Sequence, residues 1–126
     1  MSESLNKVTL SRTDTATIAT VLGEIDISSA PEFRAAITEA IQTSTLPVVV
    51  IDLTGVTFLG SPGLAALITA EAQAAERRVR LGVVTGGNRI VLRPLQITGL
   101  DMSIPIHETL ADLEVSLDSP SQGCPG

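Results

Sequence analysis

The sequence predicts an α/β domain: a mixed β-sheet with an N-terminal antiparallel hairpin and helices covering its faces. Three observations carry that class. Residues 48–51 are four consecutive β-branched side chains with no polar alternation, as in a parallel strand buried on both faces. After them, strand-like and helix-like stretches alternate, which requires crossovers, right-handed by rule, onto one sheet. Before them, two extended stretches at residues 8–12 and 15–22 flank Thr13 and Asp14, a polar break that suits a hairpin.

In the second of those stretches Ile18, Val21 and Leu22 mix with Thr15, Thr17 and Thr20, so β-branching is strong and alternation imperfect, and Gly23 ends the strand. The segment "GEIDISSAPEF" leads through Ser28 and Ser29 into a helix with Pro31 near its first turn; its apolar stripe is Ala30, Phe33, Ile37, Ala40 and Ile41. Pro47 marks entry to the central strand, and residues 52–60 read as a connection rich in Gly and Thr. Pro62 suits the first turn of the next helix and pushes the residue before it out of helical conformation, which makes Ser61 the N-cap with its hydroxyl at the loop surface. That helix is expected to turn Leu64, Leu67, Ile68, Ala72 and Ala75 to the sheet and Glu71, Gln73 and Glu76 to water. It ends near "ERRVR", where cations favour a helix C-terminus.

Residues 80–85 form another apolar strand, and Gly86-Gly87-Asn88 a turn and helix start. A helix over residues 89–98 contains Pro94, which should kink it or confine regular helix to one side; Gly99 suits its C-terminal cap. Ile104 and Ile106 suggest a short edge strand that Pro105 makes irregular or absent. Thr109 caps a final helix with Leu110, Leu113 and Leu117 inward. Residues 118–126, dominated by Ser, Pro and Gly, are expected to be a disordered tail after one domain over residues 1–117.

Composition narrows the function. A chain of 126 residues with 44% hydrophobic content suits one core rather than two. A net charge of −6 disfavours nucleic acid or an anionic membrane as the main partner and favours a protein with basic patches. The polar start and the absence of any apolar run near the roughly 18 residues that span a bilayer predict no secretory signal, no transmembrane helix and a cytoplasmic location. Cys124 is the only cysteine, so neither a disulfide framework nor a thiolate metal site is expected. Without Trp or Tyr, Phe33 and Phe58 are the only aromatics, and there is no stacking platform for bases.

Few residues suggest chemistry. Glu24 and Asp26, just past a strand end, suit loop solvation and capping better than an acid/base pair. Gly86, Gly87 and Asn88 have the makings of an anion nest, yet one Gly pair lacks the Lys and Ser/Thr of a P-loop, and an ordinary turn is the simpler reading. His107 stands without a Cys or second His and reads as a surface or cap residue. Ser61 is not in a nucleophile elbow, because position 59 is Leu rather than Gly. On the residues alone it is a cap.

The run "VVVIDLTGVTFLGSPGLAAL", taken with "GEID", resembles the signature of the STAS domain family, and within it the anti-sigma factor antagonists, over about residues 8–117. In that family the segment usually ends in Asp-Ser-Ser-Gly-Leu or Asp-Ser-Thr-Gly-Leu, the first Ser being phosphorylated by an anti-sigma factor kinase. Ser61 takes that place, and Gly63 and Leu64 match; Gly60 stands where Asp is usual, and Pro62 replaces the second hydroxyl residue. The resemblance implies the STAS fold and a binding module rather than an enzyme, with no cofactor. It further implies a partner surface around Glu24, Asp26, Gly60, Ser61, Pro62, Gly63 and Leu64, engaged by an anti-sigma factor of the serine-kinase type. Binding would free a sigma factor, and phosphorylation of Ser61 would end it. Such a phosphate would add about −1.5 to −2 charge and meet free backbone N–H groups at the positive end of a helix. The alternative is a small-ligand or nucleotide-sensing module, in which the Gly86-Gly87-Asn88 turn and the start of the Ser61 helix hold an anion.

Overall fold

Four β-branched residues in a row need apolar neighbours on both sides, and the sheet supplies them. In the computed structural model, which describes residues 6–117, Val49, Ile51 and Leu53 enter a large core cluster on one face, while Val48 and Val50 enter a smaller one on the other. The chain runs β1 (Asn6–Arg12), β2 (Ala16–Ile25), α1 (Ala30–Thr43), β3 (Val48–Leu59), α2 (Ser61–Arg77), β4 (Arg80–Val84), α3 (Arg89–Thr98), α4 (Leu100–Ser103), β5 (Ile106–His107) and α5 (Leu110–Leu117). The strands lie in the order of the sequence, β1 antiparallel to β2 and the remaining pairs parallel. This is the predicted mixed α/β sheet. The expected tail at residues 118–126, with Cys124, lies outside the described residues.

The apolar stripe of α1 is the predicted one: Ala30, Phe33, Ile37, Ala40 and Ile41 are all buried. Their partners in the large cluster include Leu67 and Ala70 of α2 and Val91 and Leu95 of α3. On the other face α5 lays Leu113 against β4 so closely that a Cβ on Gly82 would come within 2.6 Å of Leu113 Cδ1. Thr109 Oγ1 accepts a hydrogen bond from Asp112 N at 3.0 Å, the expected cap.

Four expectations change. First, Gly23 does not end β2. It takes φ 96° at a register shift between Gly23 and Glu24, so the glycine lets the strand bulge and continue to Ile25. Second, β3 does not stop at Ile51 but runs to Leu59, because the prolonged β2 gives it a partner: Leu22 pairs with Gly55, Glu24 with Phe58 and Ile25 with Leu59. A strand's length depends on its neighbour, and Thr and Gly in the run do not break it.

Third, α2 is rotated from the predicted phase. Gly63, Ala66, Leu67, Ala70 and Ala74 are buried; Ile68, Ala72 and Ala75 are exposed, and Leu64 is partly buried. Small residues win the inner face because they let the helix approach closely: a Cβ on Gly63 would lie 2.6 Å from Ile25 Cγ2 and 2.7 Å from Leu59 Cδ1. Two side chains assigned to water instead touch neighbours, Gln73 Oε1 accepting from the Thr38 hydroxyl at 3.1 Å and Glu71 Oε1 from Ser103 Oγ at 3.2 Å. Fourth, α3 runs unbroken through Pro94 to Gly99, whose φ of 80° closes it. β5 does form: Pro105 cannot donate, but its carbonyl accepts from Val83 N at 2.9 Å and Ile106 pairs with Val83.

Candidate functional site

Because β2, β3 and β4 are parallel, their carboxyl ends share one edge of the sheet, and each passes through a turn into a helix. In open α/β sheets that edge is where ligands and partners are met. The three turns differ in how their polar groups are used.

The turn after β2 is held by Asp26. Its Oδ1 accepts from Ser28 Oγ at 2.9 Å, Ser28 N at 3.0 Å and Ser29 N at 3.1 Å, while Ser29 Oγ donates to Glu24 O at 2.7 Å and accepts from Asp26 N at 2.9 Å. The Ser28 hydroxyl first, and then the Ser29 N–H, hold the Asp26 carboxyl below its ordinary 3.8. A depressed folded pKa stabilises above the unfolded value, so this contribution is complete at neutral pH and is lost only as pH falls through the folded pKa, below 3.8. Asp26 therefore serves its own turn. Ile27, at the tip, is 81% exposed.

The turn after β3 corrects the expected cap. Gly60, not Ser61, is the N-cap of α2, with φ −94° and ψ 178°, and Ser61 is the first helical residue. Gly60 is fixed from both sides: its N–H donates to Ile25 O at 3.0 Å, and its carbonyl accepts from Gly63 N at 3.0 Å and Leu64 N at 3.2 Å. These bonds override the bias of a residue before proline against helical geometry. The Ser61 hydroxyl is exposed and caps nothing. Pro62 has no N–H and the Gly63 N–H is taken, so the expected set of free donors reduces to that of Ser61 itself. A Cβ on Gly60 would stand 3.0 Å from Phe58 Cε2, so the glycine leaves room for the half-exposed Phe58 ring.

Between α1 and α2, beside this turn, lies a groove of about 210 Å³ lined by Ile27, Ala30, Pro31 and Arg34 from one side and Pro62, Ala65 and Ala66 from the other. It shares Pro31 and Arg34 with a wider groove farther along the helix pair, reached by Thr38, Gln42, Thr69 and Gln73. Glu24, paired with Phe58 in register, and Asp26, Gly60, Ser61 and Pro62 thus fall on one surface; Gly63 and Leu64 lie beneath it and hold it to the strands. The sequence did not single out Ile27, Arg34 or Phe58 for this surface. The available signal was Ile27, an apolar residue inside an otherwise polar turn.

The turn after β4 is saturated. Gly86 N donates to Glu108 O at 2.7 Å, Gly87 N to Thr85 Oγ1 at 3.3 Å and Asn88 N to Thr85 O at 3.0 Å. The Asn88 carboxamide accepts from Ile90 N at 3.1 Å and donates to Val56 O at 2.7 Å and Thr54 O at 3.2 Å, joining α3 to β3. A Cβ on Gly87 would lie 3.0 Å from a Glu108 carboxylate oxygen. The backbone donors that an anion nest would offer here are engaged within the protein. His107 sits on β5 opposite Val84, and its carbonyl accepts from Thr85 N at 3.0 Å at the foot of this turn.

The STAS domain model matches residues 7–113. The anti-sigma-F factor antagonist RsfB of Mycobacterium tuberculosis is 33% identical over 105 residues, spanning 83% of this chain and 84% of that protein. A crystal structure of an anti-sigma factor antagonist from Mycobacterium paratuberculosis is 34% identical, covers 88% of this chain and 92% of its own, and superposes with a TM-score of 0.80. The unphosphorylated form of the anti-sigma factor antagonist SpoIIAA shares the fold at 16% identity, with a TM-score of 0.69 over 95% of this chain and 100% of that one. On the family match and on relatives a third identical across most of both chains, this chain belongs to the STAS domain family.

Proposed function

We propose that the chain is an anti-sigma factor antagonist that captures an anti-sigma factor of the serine-kinase type, frees a sigma factor, and is released when Ser61 is phosphorylated. The observation that carries this is the exposed Ser61: its hydroxyl caps nothing, and its chain neighbours are Gly60, which leaves room for the Phe58 ring, and Pro62, which lines the α1–α2 groove. The two mycobacterial relatives named as antagonists support the binding class. The protein acts in the cytoplasm as a substrate of its partner, not as an enzyme; among the described residues no helix is long and apolar enough to cross a membrane.

In the phosphorylation step Ser61 Oγ attacks the γ-phosphorus of ATP held by the partner, the bond to the β-phosphate breaks, ADP leaves, and the hydroxyl proton passes to a base on the kinase. The new dianion sits at the positive end of α2, which tolerates it. The same charge falls on a surface whose neighbouring turn and strand expose Ile27 and half of Phe58, where docking requires desolvation, so the complex weakens while the fold persists. Gly60 contributes by placing no carboxylate against the phosphate.

The test titrates wild type, Ser61→Ala and Ser61→Glu against the organism's purified serine-kinase-type anti-sigma factor, with and without ATP, with mass spectrometry on residue 61. Wild type should gain one phosphate and lose affinity with ATP, Ser61→Ala should bind regardless of ATP, and Ser61→Glu should bind more weakly throughout. Equal affinity of all three and an unmodified residue 61 would remove the switch.

A further inference from the structure

The outer face of α3 combines exposed cationic and apolar side chains on an acidic chain. At 100° per residue, Gln96, Arg89, Arg93, Ile97 and Ile90 occupy one contiguous arc of roughly 120°, with buried Val91 and Leu95 opposite. Ile97 is 77% exposed and Ile90 50%, and Met102 on the adjoining α4 is 86% exposed. α3 contains no acidic residue, and neither Arg89 nor Arg93 forms a hydrogen bond or ion pair within the described residues. Two of the chain's 8 cationic side chains thus stand together, unpaired among the described residues and bordered on one side by two isoleucines, on a protein of net charge −6. Single exposed apolar residues need no explanation, but a basic and apolar stripe on one helix does.

We infer that this face docks an acidic amphipathic helix of a protein partner, its carboxylates over Arg89 and Arg93 and its apolar side chains against Ile90, Ile97 and Met102. Charge selects that occupant. A helix is narrow enough to sense mainly the local patch within a screening length of about 8–10 Å, whereas an anionic membrane spreads far beyond it and meets the repulsion of the whole acidic chain. A second copy carries the same net charge and is repelled likewise. α3 packs chiefly on β3 and α4 and shares the large core with α1 and α2, and its exposed arc includes none of the residues placed around Ser61, so the two surfaces use different side chains.

The experiment uses the whole chain, labelled for amide chemical-shift mapping, and a synthetic 18-residue peptide with Glu and Leu at helical spacing. Controls are the same composition scrambled, a version with Lys for Glu, and phosphatidylglycerol vesicles; sedimentation equilibrium of the chain alone reports self-association. Shifts confined to residues 89–102 with the ordered acidic peptide, weakening with salt, are expected. Arg89→Glu with Arg93→Glu should weaken binding about tenfold or more at an unchanged melting curve, because both side chains are exposed. Ile97→Ser should weaken it without altering the salt dependence. Shifts elsewhere, equal binding of the scrambled peptide, undiminished binding by the double variant, binding to vesicles alone, or a dimer formed through α3 would each overturn the inference.

Discussion

Two turns at the same edge of the sheet, Gly60 to Pro62 and Gly86 to Asn88, begin with the same ingredients and end differently. Each follows a parallel strand, contains glycine and opens a helix. At Gly86 to Asn88 every backbone donor has a protein acceptor, and the Asn88 side chain ties the helix start to β3. At Gly60 to Pro62 the backbone is fixed at Gly60, yet the Ser61 N–H is left free and its exposed hydroxyl caps nothing. A strand-to-helix turn is available to a partner when its scaffold is satisfied by the protein and its surface groups are not. Substitutions in the two turns should therefore divide into those that damage folding and those that damage only recognition.

The largest effect belongs to Gly86→Ala. Gly86 has φ 63°, and a Cβ there would stand 2.6 Å from Thr54 Cγ2. Left-handed backbone costs about 1–2 kcal/mol for a residue with a Cβ, and overpacking about 1–3 kcal/mol more, so a loss of roughly 2–5 kcal/mol in denaturant unfolding is expected. Unchanged unfolding would mean that Thr54 yields freely and that the turn is less tightly held than its hydrogen bonds indicate. Asn88→Ala comes next. It removes the cap on Ile90 N and leaves the Val56 carbonyl without its 2.7 Å donor, for a loss of about 2–3 kcal/mol. Neither variant should alter phosphorylation of Ser61 in protein that remains folded.

How much of this was legible follows from what each feature depends on. The stripe of α1 is a local pattern of large apolar residues, and the sequence located all of Ala30, Phe33, Ile37, Ala40 and Ile41. In α2 the pattern that wins is one of small residues chosen by distance to β2 and β3, whereas the stripe read from helical spacing placed Ile68, Ala72 and Ala75 inward in place of Ala66, Ala70 and Ala74. The end of β3 at Leu59 depends on the bulge at Gly23 in another strand, and the cap at Gly60 on a hydrogen bond to Ile25 O, neither of which appears in the run that they shape. Position 61 was identifiable by resemblance; its helical conformation and idle hydroxyl were not.

Gly63→Ala sharpens the comparison from the open turn's own side. Its Cβ would meet buried Ile25 and Leu59 at 2.6 and 2.7 Å, so it should cost about 1–3 kcal/mol although it lies two residues from an exposed serine. Partner affinity in the folded fraction should fall as well, because lifting the first turn of α2 moves Pro62 relative to Ile27 across the groove. A thermal melt together with a titration separates the two losses; retained stability with lost affinity would place Gly63 in the contact surface itself.

The smallest stability effect, and the one on which the comparison turns, is Ser61→Ala. An N-cap serine replaced by alanine loses about 0.5–2 kcal/mol, but Ser61 is the first helical residue and its hydroxyl caps nothing, so the loss should stay within about 0.5 kcal/mol, as at an ordinary exposed site. Ser61→Glu should be equally mild in the melt, since a carboxylate in the first turn suits the helix dipole. Against the anti-sigma factor the two must part: alanine should bind like unphosphorylated wild type, and glutamate should lose about 1 kcal/mol or more, as a charge desolvated in the contact requires. A loss above about 1 kcal/mol for Ser61→Ala in the melt would make the hydroxyl structural after all, and the contrast with Asn88 would collapse.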